Sequence, residues 1–165
     1  MIFGMTTFTF VHTAVSLVGI ISGLVVLVGL LTAKPLNGWT AVFLVSTVAT
    51  SATGFLLPFG VLLPSHYIGV VSLVVLAVAI LARYPLRLAG SWRWIYVVCA
   101  VTALYLNVFV LVVQLFRKVP ALQAMAPTQS EPPFAITQLV VLVLFGVLAV
   151  RAAVKFRPGP VVHSS

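Results

Sequence analysis

Acidic side chains are almost absent from this chain: it holds one, Glu131, against nine lysines and arginines among 165 residues. General acid–base chemistry by paired carboxylates needs at least two, so that machinery is excluded. No apolar run contains Asp or Glu, which removes the usual carboxylate proton relay through a membrane. Charge of either sign is scarce: 6% of residues carry one, where a soluble domain uses roughly a quarter to face water. Cysteine is nearly missing too. The lone Cys99 allows neither an internal disulfide nor a cysteine-based metal motif. No internal repeat is present, which argues against an inverted-repeat transporter.

The chain has apolar length instead, with 62% hydrophobic residues and a mean hydropathy of +1.28. Several runs approach the roughly 20 residues that about 30 Å of hydrocarbon requires. The composition predicts an all-α polytopic membrane bundle, a single membrane domain with five spans at about 7–31, 39–57, 65–82, 92–117 and 134–155. Residues 1–6 hold no Lys or Arg, whereas a cleavable signal peptide starts basic; the first run is expected to be an uncleaved span. Ala33–Gly38 reads as a turn, with Pro35 ending a helix and Asn37-Gly38 suited to reversal. Pro58–Ser65 reads as an apolar interfacial connection, and Ser65 as the N-cap of the third span. The loop 118–133, carrying Pro127, Pro132 and Pro133, is expected to be poor helix, and the tail 156–165 to be loose.

The basic residues orient the bundle. Lys34, Arg83, Arg87, Arg93, Arg151, Lys155 and Arg157 fall on one side, and only Arg117 and Lys118 on the other. The positive-inside bias therefore puts the N-terminus outside and the C-terminus in the cytoplasm of a plasma membrane. A pI near 10.7 raises the question of nucleic acid, but no basic helix face interleaved with aromatics exists to bind it. The expected partners are the bilayer and, at small-residue faces, a membrane protein or a second copy of the chain.

One span organises the rest. On Trp92–Lys118, steps of three and four align Arg93, Tyr96, Ala100, Ala103, Asn107, Val110, Gln114 and Arg117 on one face. Lipid offers an amide nothing, so this face is expected to look at other helices. Matching faces lie elsewhere: Gly19 and Gly23 form a GxxxG pair, and Thr50 and Gly54 a second small pair. These, with Ala100 and Ala103, are expected to be packing positions.

With a rise of about 1.5 Å per residue, His12, Thr53, His66, Asn107, Gln114 and Gln138 fall in one outer layer. They are the candidate ligand-binding residues, and the alternative is that they merely pair with one another to hold the helices in register. Ser65 beside His66 is adjacency on a chain, without an acid to orient the imidazole. Glu131 is expected to neutralise Arg117 or Lys118, or to favour the start of the last span through the helix dipole. The expected role is non-enzymatic, a membrane subunit or a binder of a small molecule or lipid, with no cofactor or metal. Haem b between His12 and His66, or quinone-linked redox work there, is the redox alternative, copper with Met1, Met5 and Met125 a weaker one, and transport of a neutral or lipid-like solute a third.

Overall fold

In the computed structural model, which describes residues 6–56 and 64–157, every regular element is helical. The order is α1 (Thr7–Leu31), α2 (Asn37–Gly54), α3 (Pro64–Arg83), α4 (Trp92–Lys118), α5 (Pro120–Met125) and α6 (Pro132–Lys155). Four of them, α1, α3 (over His66–Arg83), α4 and α6, are long and apolar enough to cross a membrane. Their outer faces carry exposed Val, Leu and Ile, densest on α6, as helices in lipid do.

The span chosen from the sequence is the hub: α4 packs against α1, α3, α5 and α6. Tyr96, Ala100, Ala103 and Asn107 of its polar line are all buried. The small side chains of Ala100 and Ala103 let neighbours approach closely, which is how helices associate where lipid and leucine are equally apolar. Gly23 is the tightest point. A Cβ there would sit 2.6 Å from Leu104 Cδ1 and 2.9 Å from the Phe43 ring, so α1, α2 and α4 meet at bare backbone. The GxxxG face is thus occupied within the chain.

The main core lies towards one end, built from Val26, Leu30, Phe43, Leu76, Val97 and Phe145 with their neighbours. That end is locked by two arginines. Arg83 donates to Asn37 Oδ1 at 2.5 Å and stands 5.2 Å from the centre of the Tyr96 ring. Arg93 donates to the carbonyls of Ala153 and Phe156, placing a cation on the C-terminal carbonyls of α6.

Several local expectations are corrected. Asn37 and Gly38 open α2; the reversal is made earlier, by Ala33 at φ 57°, with the Lys34 amide donating to Gly29 O at 2.8 Å. This is a Schellman closure with alanine where glycine is usual. It needs Gly29, because a Cβ there would lie 2.8 Å from the Lys34 carbonyl. Helix α3 begins at Pro64, so Ser65 lies within its first turn and is not the N-cap. The loop 118–133 contains α5, followed by Ala126, which is buried against Val112 and Phe116. Pro132 opens α6 two residues before the expected start. Phe156 is not part of a loose tail: it is fully buried, its ring 6.2 Å from that of Tyr96. Met1, Met5, the Pro58–Leu63 stretch and His163 lie outside the described residues.

Candidate functional site

At the end of the bundle away from the main core, α1, α2, α3 and α4 part around a cavity of about 430 Å³, within the rough 300–1,000 Å³ range of small-molecule sites. Helix α1 contributes His12 and Ser16; α2 contributes Thr50, Ser51 and Gly54. Helix α3 brings His66, Gly69 and Ser72, and α4 brings Asn107, Val110, Gln114 and Arg117. Four of the six residues singled out from the sequence therefore share one wall: His12, His66, Asn107 and Gln114. Thr53 stands behind His12. Gln138, on α6, lies elsewhere, donating from Nε2 to Phe109 O at 3.2 Å with its Oε1 buried and unpaired.

The hydroxyls of α2 are sorted by their partners. Ser46 donates to Val42 O at 2.6 Å and Thr53 to Ala49 O at 2.6 Å, the local bond that a hydroxyl in a helix usually makes. Because Thr53 has given its proton to Ala49, it accepts at 2.8 Å from His12 Nδ1. That assigns the proton of a neutral His12 to Nδ1 and leaves Nε2 a lone pair. Ser51 donates to Ser72 at 3.1 Å across α2 and α3. Asn107 Nδ2 donates to Thr47 Oγ1 at 3.2 Å beside Gly19, whose missing side chain makes room for both.

Thr50 is the exception. Its side chain is nine-tenths buried in the cavity wall, yet Oγ1 has no partner. A buried hydroxyl left unpaired costs about 1–3 kcal/mol, and such a group in a cavity wall is one that bound contents would satisfy. No protein-family model, curated protein or solved structure matches the chain. The chemistry of the site therefore stands on its own residues.

Around that hydroxyl the wall is aromatic and aliphatic. The ring of Phe55 lies 5.7 Å from that of His66 and fits against Gly69, where a Cβ would come within 3.0 Å of it. Phe109 and Val113 continue the wall towards the mouth. There Arg117 and Gln129 border both this cavity and a smaller one of about 240 Å³. Gln129 sits at φ 60° and donates from Nε2 to Val113 O at 2.9 Å, fastening the loop to α4. Glu131 lines neither cavity. Its carboxylate accepts from the Thr128 hydroxyl at 2.7 Å and amide at 3.2 Å, and from the Ser130 amide at 3.1 Å. These bonds, led by the Thr128 hydroxyl, hold its carboxyl below the ordinary value.

The wall thus offers two imidazoles, hydroxyls, amides and one guanidinium. Among the described residues no three His, Cys, Asp or Glu side chains gather at metal-binding spacing. The sequence does not mark Ser51, Ser72, Arg117 or Gln129 as site residues, and it marks Thr50 only as a packing position. The first two could be found from their spacing on helical faces and Arg117 from the polar line of α4. Gln129 carries no signal, because only the return of the loop onto α4 brings it there.

Proposed function

We propose that the chain is a five-span plasma-membrane protein, N-terminus outside, that binds a small, largely apolar molecule in this cavity without transforming it. The observation that carries the reading is Thr50: an unpartnered buried hydroxyl in the wall of a ligand-sized cavity. The fifth span would be α2. At 18 residues it is about 27 Å long, close to the hydrocarbon thickness. Its hydroxyls do not argue against lipid, since Ser46 and Thr53 are bonded to the helix's own carbonyls while Val42 and Val45 face outward. The expected orientation is tested by thiol labelling. A cysteine at Ser130 is expected to react with an impermeant reagent from outside, and one at Ser164 is not; the reverse pattern would overturn it.

A second reading keeps one specific support: His12 and His66 line the same cavity, and His12 has an imidazole nitrogen to offer. A haem-ligating histidine typically has its other nitrogen held, as Thr53 holds Nδ1 here. One preparation tests both readings. Protein purified in non-ionic detergent from haem-replete cells is expected to show no Soret band, and native mass spectrometry is expected to find a co-purified apolar molecule. Val113→Trp, which fills the cavity, should lose that molecule. A stoichiometric Soret band that disappears in both His12→Ala and His66→Ala would put haem there instead.

A further inference from the structure

We propose that the ligand is a bipolar amphiphile: an anionic head at Arg117, an apolar chain along α4, and a hydrogen-bonding group at its inner end. This rests on the small-molecule reading above and names the class of molecule.

The first argument is the shape of the site. Its wall on α4 runs along one face from Asn107 through Val110 and Gln114 to Arg117, roughly 15 Å at about 1.5 Å per residue. A volume of about 430 Å³ spread over that length is a slot, longer than it is wide. Ile68, Phe109, Val110 and Val113 make its middle apolar, which suits a hydrocarbon chain.

The second is charge. Among the described residues, the one Lys or Arg on the wall is Arg117, at the mouth. The chain has a single acidic side chain, Glu131, and Thr128 and Ser130 already hold both its oxygens. No carboxylate side chain is therefore left to answer Arg117. A guanidinium beside a low-dielectric slot attracts an anion, and its forked donors suit a carboxylate or phosphate.

The third is the inner part of the slot, where one buried group has no partner. Thr50 lies one turn from Thr47, the residue that Asn107 bonds, and its Oγ1 is buried with no partner. A ligand hydroxyl can donate to it or accept from it. A plain hydrocarbon end would leave it unsatisfied.

Dissociation constants measured in non-ionic detergent for four probes test the assignment: 12-hydroxydodecanoate, dodecanoate, 1,12-dodecanediol and inorganic phosphate. The hydroxy acid is expected to bind tightest. Removing the carboxylate, as in the diol, should weaken binding about tenfold or more, and removing the terminal hydroxyl, as in dodecanoate, severalfold. Arg117→Gln should erase the first difference and Arg117→Lys restore part of it. Thr50→Val, which keeps the volume and loses only an unpartnered hydroxyl, should erase the second. Inorganic phosphate should bind too weakly to compete. If the diol matches the hydroxy acid, or if Arg117→Gln changes nothing, the anionic head is rejected and the cavity reading survives. Equal binding of dodecanoate and the hydroxy acid rejects the inner group. Phosphate competing as well as the acids would make the mouth a free-anion site. If no amphiphile binds while a neutral molecule still co-purifies, this inference alone falls; if nothing co-purifies either, both do.

Discussion

Gly23→Leu is expected to abolish the folded bundle. At that point α1 has no side chain between its backbone and two others: Leu104 of α4 and Phe43 of α2 lie where a Cβ would be, at 2.6 and 2.9 Å. Both neighbours are 1% exposed, so neither can swing into lipid to make room. Forcing one extra methylene into a packed core costs about 1–3 kcal/mol, and leucine adds three carbons beyond the first. Gly23→Ala should therefore lose about 1–3 kcal/mol, and Gly23→Leu should give no monodisperse folded protein by size-exclusion and thermal unfolding. Gly146 supplies the control on the same fold. Nothing lies within 4 Å of a Cβ there, on the exposed face of α6. Gly146→Leu is accordingly expected to be neutral or slightly stabilising, since glycine within a helix costs up to about 1 kcal/mol. Equal stability of the Gly23 and Gly146 leucine variants would show that the α1–α2–α4 crossing is not where the helices are held.

The second large effect is expected at the basic end. Tyr96 is fully buried, covered by the Arg83 guanidinium at 5.2 Å and flanked by Phe156 at 6.2 Å. Arg83 reaches on to Asn37, and Arg93 holds the carbonyls beside Phe156. One ring thus lies between the groups that tie α2, α3 and α6 to α4. Tyr96→Ala removes it and leaves a void that rigid backbones cannot close. Aromatic-to-alanine changes in water-soluble cores cost about 3–5 kcal/mol. Part of that is transfer from water, which helices already in lipid do not recover. A loss of about 2–4 kcal/mol is therefore expected by denaturant unfolding in mixed micelles. Tyr96→Phe separates the ring from its hydroxyl. That hydroxyl makes no hydrogen bond of good geometry, although Thr40 and Arg83 stand beside it, so the change should cost no more than about 1 kcal/mol. A large loss in Tyr96→Phe, or none in Tyr96→Ala, would reject the ring as the keystone of that end.

Part of the site could be read from residue order. Asn107, Gln114 and Arg117 fall on one face of α4 by helical periodicity alone, and an amide in an apolar helix faces protein because lipid cannot bond it. His12 was legible for the same reason. What periodicity does not carry is partnership. Thr50 and Thr53 are three residues apart on α2 and alike in type. Thr53 meets His12 and Thr50 meets nothing, because the rotation and crossing of α1 decide which hydroxyl it covers. Gln138 looked equivalent to Gln114 in depth, yet α6 turns it to the Phe109 carbonyl, away from the cavity.

By itself, then, the sequence determined the helices and the face that α4 shows its neighbours. Hydrogen-bonding backbone must close on itself in hydrocarbon, and apolar length together with scattered amides says where it does so. The tertiary structure alone decided the rest. The short helix α5 is held by the docking of Ala126 on Val112 and Phe116, a contact between distant stretches that no local propensity encodes. Ala33 adopts a left-handed conformation because the close return of Lys34 over Gly29 requires it. The cavity exists because α1, α2 and α4, which touch tightly at Gly23, part from one another and from α3 beyond Asn107. Such divergence depends on how whole helices cross, and crossing is set by the summed fit of their surfaces, not by any one residue.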